Sequence, residues 1–400
     1  MMPASAAKES LLHRAGSAWT DRGTERLVSG GSAEWAASVH CHRRAVELLS
    51  ELPVEENISY RADLGAAWVN LGCALQAGTT RESLLEALGA FDRAVDLLGS
   101  LPIEANPRFR HNLAAAWMNR ADAFARIDTA TSRAGALRAY ARAIEIAGAL
   151  PLDEKPSFRV LLASCWINLG NLHQRLLEFP SAIRAYDGAL SAIGNLPRSG
   201  HRLASHHAAT ASVNRGEAFL SQGARADAEL AVESARMALA QVEGREFSGH
   251  VDAKLSLRAL RVLARGLESP IRGGASPGAA SVAELTDVAE RGLDLAFGGH
   301  EANPRFFDPF IVWFFSFGSR IYGRHQPQFL AEYLGEVLER WDAHGCPDVA
   351  GQLREIARQA AAGALEELGR DRLLVCGTRQ TELLMSTVRE LRGAALLFDS

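Results

Sequence analysis

The sequence predicts an all-α fold in which antiparallel helix pairs stack side by side, and two recurring markers indicate it. Tryptophan recurs at intervals of 49 residues, at Trp19, Trp68, Trp117 and Trp166. A Leu-Pro dipeptide recurs nearly in step, beginning at Leu52, Leu101, Leu150 and Leu196. Periods of roughly 20 to 50 residues are typical of proteins built from stacked supersecondary units. Runs of β-branched residues are scarce, so we expect the repeating unit to be helical.

Each repeat is predicted to contain two helices. In residues 58–77, apolar side chains recur at steps of three and four, at Leu64, Trp68, Leu71 and Leu75. That spacing places them on one face of a helix. After a polar break at residues 78–80, a second stripe follows at Leu84, Ala87, Phe91, Ala94 and Leu98. Pro102 cannot continue a helix, so a loop over residues 102–107 leads to the next unit. Neither helix buries its apolar face alone, so successive pairs must pack on one another.

The composition is typical of a folded protein, and its net charge is small. The 400 residues carry a formal net charge of −4, which gives no reason to expect affinity for nucleic acid or anionic membranes. We find no apolar stretch long enough to predict a membrane span, and residues 1–10 do not resemble a secretory signal. The five cysteines are far apart and form no CxxC pair. We therefore expect reduced thiols, no metal site and a cytoplasmic location.

A more specific signature lies within the repeats. Residues 166–189 carry it without a gap, at Trp166, Leu169, Gly170, His173, Ala182, Tyr186 and Ala189. The units at Trp68 and Trp117 fit if the turn between their helices is three residues longer, and a fifth copy starting at Ser212 keeps Gly216, Ala228 and Ala235. This pattern resembles the tetratricopeptide repeat, with about five repeats in residues 7–243 and diverged repeats after them.

The resemblance implies a right-handed α-solenoid whose concave face is lined by the first helix of each pair. It also implies structural roles for the repeated tryptophans and glycines, namely Trp19, Trp68, Trp117, Trp166, Gly72, Gly170 and Gly216.

The second half of the chain is predicted to continue the array in a diverged form. The phrase EANPRF at 301–306 repeats residues 104–109 letter for letter, and it places Phe314 and Gly318 in the tryptophan and glycine positions. Second and closing helices are expected over residues 327–343, 347–368 and 378–398, with a loop over 269–280. We accordingly predict a repeat array over residues 1–244, diverged hairpins over 245–345 and capping helices over 346–400.

An unusually aromatic run extends from Phe306 to Phe317. A helix that is apolar on every side is usually buried on several sides, which favours a core helix. A surface for a partner or for self-association is the alternative.

Asparagines form the candidate binding residues. Asn70, Asn119, Asn168 and Asn214 each follow the tryptophan position by two residues, and Asn171 lies one turn beyond Asn168. The resemblance implies that this position faces the concave groove, where an amide can both donate to and accept from an extended peptide. The alternative is that asparagine is part of the repeat consensus and has no binding role. No lysine stands beside the first three, so the carboxylate clamp known in the family is not expected.

A second repeated set is expected to be structural. Arg61, Arg110 and Arg159 recur at 49 residues, as do the acidic residues Glu55, Glu104 and Asp153 in the preceding loops. We expect an arginine–carboxylate pair to tie each loop to its helix.

No catalytic motif emerges from the sequence. We find no nucleophile elbow, Walker loop or dinucleotide-binding glycine fingerprint, and His201, His206 and His207 are not accompanied by a metal-binding motif. We therefore predict no catalytic residue, metal or cofactor. The expected function is a scaffold or adaptor that binds a partner peptide or helix. A ligand-sensing regulator and, less favoured, an enzyme with its site in residues 246–400 remain as alternatives.

Overall fold

The computed structural model describes residues 4–194, 196, 201–242, 250–274, 277–300, 303–344 and 347–371, and these contain helices and turns but no strand. The chain divides into two compact units, Met1–Ala211 (unit 1) and Ser212–Ser400 (unit 2). The predicted boundaries at residues 244 and 345 stay predictions. No helix among the described residues is both long and apolar enough to cross a bilayer.

Unit 1 contains four helix pairs. Their bounds are α1 (Ala4–Ser29), α2 (Ser32–Ser50), α3 (Ile58–Gln76), α4 (Arg81–Gly99), α5 (Pro107–Ile127), α6 (Ala130–Gly148), α7 (Pro156–Arg175) and α8 (Phe179–Ile193). The two helices of each pair pack closely, and each pair packs on the next. The observed helices follow the predicted ones closely, including the break at residues 77–80 and the loop before Pro107.

The described part of unit 2 is also helical. The boundary between the units falls within α9 (Arg202–Gln222), and the helices that follow are α10 (Arg225–Val242), α11 (His250–Arg272), α12 (Ala279–His300), α13 (Pro304–His325), α14 (Pro327–His344) and α15 (Pro347–Asp371). The expected loop over residues 269–280 is shorter than predicted, because α11 continues through Pro270 to Arg272. The predicted helix over 378–398 lies outside the described residues.

Local capping fixes where the helices of unit 1 begin. Asn57 and Asn106 occupy equivalent N-cap positions, and their side-chain oxygens accept from backbone N–H groups of the first turn. Thr80 caps α4, and Thr129 forms a reciprocal capping box with Ser132. Such caps satisfy backbone donors that have no partner within the helix.

A repeated contact between a small residue and an aromatic ring joins the two helices of a pair. A Cβ added to Gly72 would overlap the ring of Phe91, and one added to Gly170 would overlap the ring of Tyr186. Gly23 stands in the same way against His42, whose side chain is only 1% exposed. Gly72 and Gly170 are two of the repeated glycines for which the resemblance implies a structural role. The described part of the chain is thus all-α, and the helix pairs of unit 1 stack in the manner of tetratricopeptide repeats.

The arginine pairs are confirmed. Arg61 pairs with Glu55 at 3.2 Å, and Arg110 and Arg159 pair with the acidic residues of their own loops, Glu104 and Asp153. These arginines also donate to backbone oxygens, for example Arg159 Nε to Leu152 O at 3.1 Å. Because Arg110 and Arg159 also bond carbonyls at the end of the second helix, each clamp joins the loop to both helices of its pair.

The first helices of unit 1 form one continuous row. Helix α3 contacts α1 and α5, and α5 also contacts α7. No comparable contact joins α2 to α4 or α4 to α6 in the described structure. Successive first helices of unit 1 therefore lie closer together than successive second helices do. We call the side of unit 1 that the first helices line the inner face.

At the start of unit 2, the glycine of the repeat contacts a different helix from the one that its counterparts in unit 1 contact. Gly216 does not face the residue in its own aromatic position, Val232, but Val262 of α11, while Val232 packs against Gly266 of α11. Further along, Gly318 faces the ring of Tyr333. Gly318 thus contacts a ring of α14, the helix after its own, and the diverged repeat that we expect here stays a prediction.

The aromatic run in α13 is mostly core. Phe307, Phe314, Phe315 and Phe317 are fully buried, and Phe310 is 9% exposed. Two glycines of α12, Gly292 and Gly299, admit two of these rings. The interpretation of this run as a core helix is confirmed, and self-association through residues 306–317 stays a prediction.

Candidate functional site

A polar pocket opens on the inner face of unit 1, where α3, α5 and α7 lie side by side. Its volume is about 290 Å³. Side chains from three successive repeats line it, among them Gln76, Asp122, Arg126, Asn168, Asn171 and Arg175. We call it the Asp122 pocket.

The carboxylate of Asp122 is the acceptor at the centre of this pocket. It accepts hydrogen bonds from the hydroxyl of Tyr140 and from Asn168 Nδ2, the latter at 3.1 and 3.2 Å to its two oxygens. Burial raises the pKa of Asp122 to about 6, and the hydrogen bonds from Tyr140 and Asn168 oppose that rise. Burial, followed by the nearby charge of Asp122, also raises the pKa of Tyr140 far above its ordinary value. The tyrosine therefore stays a neutral donor.

Two arginines flank the carboxylate at equivalent repeat positions. Arg126 donates to the carbonyls of Gln76 and Gly78 at the end of α3, the second at 3.1 Å. Arg175 donates to the carbonyl of Ala125 at 2.8 Å. Each cation thus lies at the carboxyl end of the preceding first helix, where the helix dipole favours positive charge. The same bonds hold the guanidinium groups at the pocket wall.

Two of the five predicted asparagines lie in this pocket. Asn168 bonds Asp122, as described above, and Asn171 Oδ1 accepts from the hydroxyl of Tyr186 at 2.9 Å. The Asn168 side chain is half-buried, and that of Asn171 is exposed. The amides are therefore fixed in orientation by contacts with neighbouring helices.

The other three asparagines lie elsewhere. Asn70 and Asn119 are half-buried on α3 and α5, and Asn119 Nδ2 is 3.4 Å from Cys73 Sγ. Asn214 is buried in unit 2, where its Oδ1 accepts from Arg258 at 2.7 Å. The structure thus distributes the asparagine ladder along the first helices and does not gather it into one site. A buried amide that already has a hydrogen-bond partner is not accessible to a peptide. We therefore do not include Asn214 among the binding residues proposed below.

The most informative residues of the pocket were missed by sequence reasoning. Asp122 follows Asn119 by three residues, a position where the neighbouring repeats carry Cys73 and Asn171. Arg126 and Arg175 are 49 residues apart, so their periodicity was available as a signal. The periodicity alone does not show which side chains of one repeat contact those of the next. Those contacts bring the separate positions together in a single pocket.

Two thiols of unit 1 are held in the protonated form by burial. Burial raises the pKa of Cys73 to about 11 and that of Cys165 to about 12, so both stay protonated at neutral pH. His207 contacts Ser164 Oγ at 2.8 Å and the carbonyl of Leu203 at 2.8 Å. No group of three potential metal ligands occurs among the residues that the structure describes.

Comparison with known proteins gives structural likeness only. No protein-family model matches the chain, and no curated protein matches it. Solved structures with a similar arrangement include BtubC from P. vanneervenii, with 16% identity, coverage of 64% of this chain and 89% of that one, and a TM-score of 0.48. Another is the apo form of RapI, with 10% identity, coverage of 96% and 99%, and a TM-score of 0.44.

A third similar structure is a signal-transduction ATPase with a tetratricopeptide repeat sensor from Pyrococcus horikoshii. It shares 14% identity, covers 96% of this chain and 54% of its own length, and gives a TM-score of 0.43. Likeness at this level says nothing about the function of this chain. The assignment to the tetratricopeptide kind of fold depends instead on the helix pairs and ring contacts described above.

Proposed function

We propose that this protein is an interaction module that binds an extended peptide segment of a partner on the inner face of unit 1. The observation that carries the proposal is the Asp122 pocket, in which side chains from three repeats converge on one polar recess. Part of its lining, Ala125, Tyr140 and Leu172, belongs to the hydrophobic core. Its polar groups are, however, held in fixed positions by contacts between repeats.

The chemistry of the pocket favours a ligand group that donates and accepts together. Asp122 supplies an acceptor at the centre, while Arg126 and Arg175 supply donors beside it. A primary amide presents both functions within one planar group. We therefore propose that an asparagine or glutamine side chain of the peptide enters the pocket, while Asn168 and Asn171 bond the adjacent peptide backbone.

Selection of peptides on the full-length protein tests this proposal. Peptides would be selected from a random display library, and their affinity measured by fluorescence anisotropy. We expect Asn168→Ala/Asn171→Ala to weaken the selected peptides at least tenfold, because the pocket loses two of its fixed amides. We expect Asp122→Asn to weaken them as well, since it replaces the central acceptor by a group that also donates.

A matched double variant on the opposite side of unit 1 serves as the control. Asp96 and Arg138 are exposed on α4 and α6, and replacing both by alanine leaves the net charge unchanged. This variant should bind the peptides like the parent protein. Equal affinity of the parent and the Asn168→Ala/Asn171→Ala variant, with equal helical content, would contradict the proposal.

A further inference from the structure

A second and larger pocket lies wholly within unit 2, between α10, the end of α11 and the start of α12. Its volume is about 530 Å³, which is in the range of sites for small organic ligands. Most of its wall is apolar and comes from Val232, Met237, Leu267, Pro270, Ile271 and Pro277. We call it the Val232 pocket.

The pocket lies where the repeat loses its aromatic residue. Val232 occupies the position that Phe91, Tyr140 and Tyr186 fill in the preceding repeats. Its partner across the helix interface is Gly266, where an added Cβ would lie 2.7 Å from the valine methyl carbon. A valine does not reach as far as a phenyl ring, so the repeat's own side chain does not fill the volume beyond it.

A proline places a backbone acceptor at the same wall. Pro270 lies inside α11. Because proline has no N–H, the helical hydrogen bond to the carbonyl four residues earlier is not made. That carbonyl belongs to Gly266, which lines the pocket.

Two carboxylates add negative charge to the pocket. Glu229 and Glu233 are one turn apart on α10, and both line it. Neither takes part in an ion pair among the residues that the structure describes. The one arginine of the lining, Arg236, pairs instead with Glu284 at 2.6 Å.

We propose that the Val232 pocket binds an organic amine with an apolar body. The ammonium group would bind Glu229, Glu233 and the carbonyl of Gly266, and the body would pack on the apolar wall. An ammonium carries three donors and no acceptor, which matches a wall that offers acceptors without free cations. All residues used here lie in unit 2, so the proposal is independent of peptide binding by unit 1.

Titration of the full-length protein with matched probes tests the charge requirement. The probes are phenylalkylamines with two to five methylene groups, together with the alcohol and the carboxylic acid of each chain length. Binding is measured by calorimetry and by ligand-observed NMR. We expect at least one amine to bind tenfold or more tightly than its alcohol, with the acid weaker still. Equal binding of amine and alcohol across the series, or no binding of any amine at millimolar concentration, overturns the proposal.

Three variants locate the site. Glu229→Gln/Glu233→Gln should remove the preference for amine over alcohol, and both side chains are exposed, so folding is not at risk. Val232→Phe, which restores the aromatic residue of the other repeats, should weaken amine and alcohol alike by filling the pocket. Glu339→Gln, at an exposed position on α14, should change neither. An amine that binds equally well to the parent and to both pocket variants would be bound elsewhere, and the proposal would fail.

Discussion

At the scale of single residues, a buried histidine replaces an aromatic ring in the first repeat. His42 stands against Gly23 as Phe91 stands against Gly72, and its Nδ1 has no hydrogen-bond partner. Burial lowers the pKa of His42 below its ordinary value. A histidine buried in its neutral form therefore destabilises the fold once the solution is acidic enough to protonate it in the unfolded chain.

We expect His42→Phe to stabilise the protein. At pH 7.5 the gain should be about 1 kcal/mol, because an unpaired buried polar atom is removed. The pKa of His42 is lower in the folded chain than in the unfolded chain. The stability that the parent protein gains from a neutral His42 is therefore fully present above the ordinary pKa of about 6.5, and it declines as the pH falls below that value. The advantage of the phenylalanine variant should accordingly grow between pH 7.5 and 5. Urea unfolding at both pH values measures it, with the exposed His40→Gln as control. A variant less stable than the parent at pH 5 would contradict this account.

The arginine clamps provide a second prediction at this scale. The Arg110 side chain is 13% exposed, whereas Glu104 is 83% exposed. An exposed carboxylate contributes little to an ion pair, but a buried guanidinium bonded to a carbonyl contributes more.

We therefore expect Arg110→Ala to lower the free energy of unfolding by about 1 to 3 kcal/mol and Glu104→Gln by less than about 0.5 kcal/mol. Arg108→Ala, at an exposed position two residues away, should be neutral. Chemical denaturation of the three variants separates the contributions. Equal losses for Arg110→Ala and Glu104→Gln would show that the ion pair, and not the bond to the Ala149 carbonyl, holds the loop.

At the scale of helix pairs, the glycine positions decide how closely two helices approach. Gly72 is enclosed by the ring of Phe91, whereas a Cβ added to Gly89 on α4 would meet nothing within 4 Å apart from its own helix backbone. In the next repeat Ala121 takes the glycine position opposite Tyr140, so that pair accommodates a methyl group. The difference between these repeats is one of local spacing.

We expect Gly72→Ala to destabilise the protein by about 1 to 3 kcal/mol, since the ring of Phe91 must move. Gly89→Ala should instead stabilise it by about 0.5 to 1 kcal/mol, because alanine favours the helix more than glycine. Thermal unfolding followed by circular dichroism compares the two. Similar effects of the same sign at both positions would show that helix propensity, and not ring contact, governs the Gly72 site.

Sequence reasoning predicted the helix pairs better than the site they form. The limits of α3 and α4 followed from the apolar spacing, the polar break at residues 78–80 and Pro102, all of which act within a few residues. The Asp122 pocket depends on contacts between residues about 46 to 50 positions apart, such as Asn168 with Asp122 and Arg175 with Ala125. The Val232 pocket depends on a valine in the aromatic position of the repeat and on Pro270 inside α11. Neither feature changes the spacing of the repeated residues, so the repeat pattern does not reveal the pocket.

At the scale of the whole molecule, unit 1 consists of pairs that contact only their neighbours. Stability in such an array is approximately the sum of unit and interface contributions, so a whole unit can be removed without loss of the others.

We expect deletion of residues 107–155, one full period, to leave a folded protein with a lower urea midpoint. The new junction joins Asn106 to Pro156, and it reproduces the sequence of an N-cap followed by proline that begins α5. Deletion of residues 128–155 removes only the second helix of the pair, and it should lose cooperative unfolding because α5 is left without α6. Circular dichroism and urea titration distinguish the outcomes. Two deletions with equal helical content and equal cooperativity would contradict the array model.

The carboxylate of Asp122 also links the inner face to the acidity of the medium. With a pKa of about 6, this group changes from anion to neutral acid within two pH units of neutrality. Its raised pKa means that the folded chain takes up this proton more readily than the unfolded chain does, so mild acid relieves the cost of holding a buried charge. A partner that binds by donating hydrogen bonds to the anion would then be released as the pH falls. Protonation of Asp122 would not lower the stability of the helices around the pocket.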